Sequence, residues 1–237
     1  MTATRRAARA ASLYDEANAR RYRAHDDEFE SSQPCRSFAE WLGRVTAAFG
    51  RPIDVLDLGC GTGRYFWALV GVRSLTGIDA SPAMLAEAAH PYHADCITAG
   101  SIGLVVGDLL THRFPASQFD LVYSIGVLAE HVPLNSELVH RIADWLKPAG
   151  RFAFSTVHPE SPSVPRTIGR RIGERVVPFL SGAAREALRR RLLAGGMYAD
   201  EARVRELLAP SFEIESLTRF ESEAHLHCLC VATRRSA

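Results

Sequence analysis

The hydrophobic pattern along the chain changes period twice. Between residues 12 and 48, apolar positions recur at helical spacing among many charges, in "YDEANARRYRAHDDEF" and then "FAEWLGRVTAAF", before Gly50 and Pro52 end the run. This predicts two helices over 12–50 that precede the main core as a cap. From residue 53 the texture becomes short apolar runs, "IDVLDLG", "LTGID", "IGLVVGD", "FDLVYSIG" and "RFAFSTV", separated by helix-like stretches such as 82–90 and 134–146. Continuous runs of Val, Ile, Leu and Phe belong to strands buried on both faces. Alternating with helices, they predict a parallel sheet wound by crossovers, an α/β fold with its core over 53–157.

After "STVH" the pattern stops. Residues 158–197 hold four prolines and eight arginines against three glutamates, which marks 158–199 as an insertion or lid. Order resumes over 200–237 with a helix at about 200–209 and then "FEIESLTRF" and "HLHCLCVAT". These two alternating runs, joined by a short polar turn, predict an antiparallel pair closing the sheet. At 237 residues a single domain is the expectation.

Composition narrows the classes. A net charge of +1 provides no global field for a nucleic-acid or polyanionic partner, so any basic surface must be local to matter. The five cysteines are scattered without a C-x-x-C pair, fitting neither a disulfide framework nor a zinc ribbon, and a reducing cytoplasm is expected. No apolar run reaches the roughly 18 residues a membrane span needs. The N-terminal stretch lacks the apolar centre of a secretory signal, but its Arg-, Ala- and Ser-rich, acid-poor character leaves an organelle transit peptide open. Lys147 is the only lysine, hence the sole candidate for Schiff-base chemistry.

The densest chemical signal is "VLDLGCGTGRY", residues 55–65. A strand ending in a glycine-rich turn lets backbone approach a ligand closely and offers free N–H groups to it. The dinucleotide spacing G-x-G-x-x-G fails, because Arg64 stands where the third glycine belongs; the glycines are Gly59, Gly61 and Gly63, preceded by Asp57. Asp79 closes the next strand, where a carboxylate can accept both hydroxyls of a ribose. Asp108 follows at the strand end after that, placed to accept from an exocyclic amine while the backbone of Leu109 meets the ring.

With "VLDLGCGTG", "GIDASPAML", "GD", "FDLVYSIGVLAEHV" and "LKPAGRFAFS" in this order, residues 53–157 resemble the nucleoside-binding core of class I S-adenosylmethionine-dependent methyltransferases. The resemblance implies a Rossmann-like sheet of seven strands with the last antiparallel, and S-adenosyl-L-methionine as cofactor. It implies that Asp57, Gly59, Cys60, Gly61 and Gly63 face the methionine moiety, Asp79 the ribose, and Asp108 and Leu109 the adenine. Ala80, Met84 and Ser124 lie in the same matching segments. Tyr22 resembles an aromatic that closes over the cofactor, with plain packing as its alternative.

Methyl transfer is an in-line displacement governed by positioning, and a base is needed only when the acceptor carries a proton. Two histidines follow strand ends: His131 in "LAEHVP", resembling the "EHV" of small-molecule methyltransferases, and His158 in "STVHPE". Helix capping or a loop hydrogen bond are their plainer roles. Related quinone-biosynthesis enzymes carry E-x-x-E-H, but Val127 occupies the first glutamate position, so no metal is expected. In "HLHCLC" the histidines and cysteines fall on opposite faces of a strand, which reads as packing.

The fourth strand ends in "SIGV", without an N-P-P-Y or Pro-Cys motif, and no basic-aromatic stacking platform accompanies it, which disfavours nucleic acid. The arginines of the insertion have three readings: a solvated lid, a clamp for an anionic acceptor, or a basic helix resting on a membrane. The expected function is methyl transfer to O or N of a small organic molecule, a specialised metabolite. A lipid or quinone precursor as acceptor, a catalytically silent binding module and an NAD-dependent oxidoreductase are its rivals.

Overall fold

The computed structural model describes residues 14–28, 32–164, 181–182, 197–221 and 225–235. Most of the expected lid, 165–180 and 183–196, lies outside the described residues. The helices are α1 (Glu16–Asp27), α2 (Gln33–Ala47), α3 (Pro82–Ala88), α4 (Ser136–Trp145) and α5 (Glu201–Leu208). The strands are β1 (Ile53–Leu58), β2 (Val72–Asp79), β3 (Ser101–Val106), β4 (Phe119–Ser124), β5 (Leu146–Val157), β6 (Phe212–Glu221) and β7 (Leu226–Arg234).

One sheet runs in the order β3-β2-β1-β4-β5-β7-β6, with β7 antiparallel to both neighbours. Alternation along the central strands divides two cores. Leu56, Leu58, Val122, Phe152 and Phe154 point to the face covered by α4 and α5; Val55, Leu121, Tyr123 and Ala153 point to the face covered by α2 and α3. The central strand β4 is buried at all six positions, whereas the edge strand β3 is mostly exposed or half-buried, as burial on both faces and one open edge require.

Each helix begins on a polar residue whose side chain accepts a backbone N–H: Asp15, Ser32, Ser81, Asn135 and Asp200. Strand β5 starts at Leu146, five residues earlier than the "RFAFSTV" pattern indicates, because buried Leu146 pairs with Phe119 and Lys147 is drawn to the strand starts. There the Lys147 ammonium donates to Asp54 and Asp120, both at 2.7 Å. Arg73 and Lys147 hold the Asp54 carboxyl below its usual range despite partial burial. The only lysine is thereby bound in an ion-pair network at the edge opposite the strand ends.

Candidate active site

A cavity of about 500 Å³ opens where β1–β4 end, the crevice where open α/β sheets receive ligands. Its floor is the glycine turn. Gly59 has φ +75°, and an added Cβ would lie 2.6 Å from Val127 Cγ2, so only glycine fits between β1 and the loop after β4. Gly61, at φ +54°, would meet nothing within 4 Å, so its backbone is open to an incoming molecule. The turn is held from β2: the N–H groups of Gly59 and Cys60 donate to the Ile78 carbonyl, and that of Gly61 to Asp79 Oδ2 at 3.0 Å.

Asp79 also accepts from Ser81 N–H at 2.9 Å, one backbone donor on each oxygen, leaving a lone pair on each for a diol. Burial raises its pKa above the usual carboxylate value, and those N–H groups pull the other way. Beneath it, Asp57 is buried and accepts the Tyr123 hydroxyl at 2.6 Å. Burial pushes the Asp57 pKa up to about 7 against that hydrogen bond, helped by the negative charge of Asp79. At the far side, Asp108 Oδ1 accepts Leu110 N–H at 2.8 Å, and buried Arg141 reaches across from α4 to donate to the Leu109 carbonyl at 2.9 Å. Arg141 therefore shapes the Asp108–Leu110 loop from behind.

The cap closes the top. The Ser81 hydroxyl donates to the Tyr14 carbonyl at 2.6 Å, and the Tyr14 ring meets Tyr22 and His131 edge-on, with centroids 5.6 Å and 6.0 Å away. Asp26 of α1 is wholly buried, accepts the Thr62 hydroxyl at 2.5 Å and pairs with Arg64. Burial opposes the Arg64 charge, but the Asp26 carboxylate outweighs it and raises the guanidinium pKa. The residue that breaks the dinucleotide spacing is thus the anchor of the cap.

Of the residues singled out in the sequence, Tyr22, Asp57, Gly59, Cys60, Gly61, Asp79, Ala80, Met84, Asp108, Leu109 and His131 line this cavity. Gly63, Ser124 and His158 do not. Gly63 turns at φ +76° with its Cα face against Phe66; the Ser124 hydroxyl donates to the Leu58 carbonyl at 2.8 Å. His158 corrects the expectation of a residue at the reaction centre: it is fully buried beneath the stems of the insertion. Its Nδ1 accepts Glu160 N–H at 3.0 Å, which puts the ring proton on Nε2, facing Glu201 at 3.3 Å without the alignment of a hydrogen bond. Cys228 shares that cluster, but a protonated Nε2 has no lone pair to give a metal.

His131 sits on a tight loop in which the Val127 carbonyl accepts from His131 N–H at 2.9 Å and Val132 N–H at 3.0 Å, with Ala129 at φ 58°. The ring is about half exposed, 3.8 Å from Glu130 and 3.4 Å from the Tyr14 hydroxyl. Sequence reasoning missed Tyr14, Phe38, Arg64 and His225 as lining residues. Only Tyr14 carried a signal, as the partner of Tyr22 in an otherwise charged stretch.

The donor set fits S-adenosylmethionine: an open glycine backbone, a carboxylate with two vacant lone pairs for ribose hydroxyls, and a further carboxylate and apolar loop for adenine. Residues 55–150 match the family described as "Methyltransferase domain". Trans-aconitate 2-methyltransferase of Streptomyces avermitilis is 35% identical over 123 residues, 50% of this chain and 44% of that protein. The protein of the same name from Klebsiella pneumoniae is 39% identical over 114 residues, 46% of this chain and 41% of that protein. The chain spans less than half the length of the curated relatives it matches. An S-adenosylmethionine dependent methyltransferase from Mesorhizobium loti has a similar structure, with a TM-score of 0.59 and 25% identity over 83% of this chain and 98% of that one.

Proposed function

We propose that the chain is a class I S-adenosylmethionine-dependent methyltransferase and that it methylates an oxygen or nitrogen of a small organic molecule. The observation that carries this reading is the convergence of the glycine turn, Asp79, Asp108 and His131 on one cavity. When bound, S-adenosylmethionine supplies an electrophilic methyl group on a sulfonium sulfur. Asp79 would accept the ribose hydroxyls, Asp108 and Leu109 would hold the adenine, and the Gly59–Gly61 backbone and Asp57 would face the methionine end. The capping tyrosines Tyr14 and Tyr22 exclude water above it.

His131 is positioned to accept the proton that the acceptor's oxygen or nitrogen would give up on methylation. The acceptor is a small molecule, as the name of the trans-aconitate relatives suggests for the class. Among the described residues no helix is long and apolar enough to cross a membrane.

The test is transfer of tritium from methyl-labelled S-adenosylmethionine across a panel of phenols, amines and carboxylic acids. With the acceptor so found, His131→Ala should leave cofactor affinity unchanged and cut turnover by roughly a hundredfold, most below the acceptor's own pKa. Full turnover at every pH would remove His131 from the mechanism.

A further inference from the structure

Asp57, Asp79 and Asp108, the carboxylates assigned to the cofactor, lie on the β3-β2-β1 side of the cavity, and the rest of its lining includes the loop after β4 and His225 before β7. Strand β7 is antiparallel, so it begins at the edge where the parallel strands end: His227 pairs with Val157. His225, just before β7, therefore enters the cavity at the end remote from Asp108. "HLHCLC" is in this respect more than strand packing.

Around His225 the structure assembles rings from four separate segments. Phe38 of α2 meets Tyr65, Phe220 and His227 edge-on, at centroid distances of 6.4, 5.3 and 5.3 Å. His227 stacks on Phe220 with an interplanar angle of 28° and on His225 with an angle of 21°, the latter at 5.5 Å. Phe38, Tyr65 and His225 present this wall to the cavity.

Among the described residues, charge at the same end is sparse. The carboxylates that line the cavity are Asp57, Asp79, Asp108 and Glu130, on the cofactor side or beside His131. The guanidinium that lines it, Arg64, is already paired with buried Asp26. Among the described lining residues, then, the acceptor end offers π faces and an imidazole, with no guanidinium or ammonium left over for a polycarboxylate. Planar rings prefer such a surface, and offset or edge-on aromatic pairs contribute beyond the area they bury.

Resting on the methyltransferase reading, we infer that the acceptor is a planar aromatic molecule that lies against the Phe38–His225 wall, with His225 as a specificity-determining residue.

The experiment uses the full chain saturated with S-adenosylhomocysteine, titrated calorimetrically with 2-naphthol and, separately, with trans-aconitate. The expected result is saturable 2-naphthol binding at least tenfold tighter than trans-aconitate. His225→Ala should weaken 2-naphthol tenfold or more, and His225→Phe should recover it to within about threefold, since a ring restores the stacking surface. S-adenosylhomocysteine affinity should be the same in all three proteins, which shows that the variants fold. Tighter binding of trans-aconitate, or 2-naphthol affinity indifferent to His225→Ala, would overturn the inference and leave the methyltransferase reading standing. Failure of the wild-type protein to bind S-adenosylhomocysteine would overturn both.

Discussion

Asp57 carries an electrostatic cost, because its carboxylate is buried and feels the negative charge of Asp79. Its carboxyl ionises near 4 when unfolded and near 7 when folded, so the native state holds the proton more tightly. The stability this contributes is present below about pH 4 and lost as pH rises through about 7. Asp57→Asn keeps an acceptor for the Tyr123 hydroxyl and removes the charge. The variant should be more stable than wild type at about pH 8, on the order of a few kcal/mol, with a flatter profile down to about pH 5. Urea unfolding at the two pH values measures this; equal slopes for both proteins would contradict it. Asp79, whose pKa burial also raises, is tested through ligand binding instead. Its lone pairs are available to a diol, and charge-assisted bonds are each worth roughly 1.5–3 kcal/mol, so Asp79→Ala should weaken S-adenosylmethionine by more than tenfold. Unchanged calorimetric affinity would separate Asp79 from the ribose.

At the scale of elements, α1 is fastened at both ends: the Ser81 hydroxyl holds the Tyr14 carbonyl just before it, and Thr62 and Arg64 hold Asp26 in its last turn. Removing one partner of a buried pair typically costs about 3–5 kcal/mol. Here the loss is limited by the free energy of undocking α1, since the core does not depend on it. Asp26→Ala should therefore leave the unfolding midpoint of the core nearly unchanged, speed proteolytic cleavage within 14–28, and weaken S-adenosylmethionine by about tenfold, equivalent to ~1.4 kcal/mol. Cleavage at the wild-type rate would show that Asp26 is not the fastener. The helix was legible from its spacing, but Asp26 was not: "AHDDEF" reads as a solvated charge run, and only the tertiary position of Arg64 explains its burial. Strand β5 shows the same limit, since "LKPAG" reads as a turn until Leu146 finds Phe119 across the sheet.

For the whole molecule, the alternation of strands with helices and the antiparallel closing pair were readable from the hydrophobic pattern, while the spatial order of the strands was not; three strands lead to a chemical marker: Asp57 with the glycines, Asp79, Asp108. Such markers fix the cofactor end in sequence order. The acceptor end is assembled from α2, the glycine turn, the loop after β4 and the start of β7, pieces that no local pattern links. His158 shows the converse, a histidine after a strand end that the fold turns inward beneath the insertion stems. The central claim is that the glycine turn and its carboxylates hold an adenosyl sulfonium, and isothermal titration of the purified chain with S-adenosylmethionine, S-adenosylhomocysteine and NAD tests it most directly. Saturable binding of the two adenosyl ligands, with none of NAD, is the predicted result. Binding of NAD without either adenosyl ligand would contradict it.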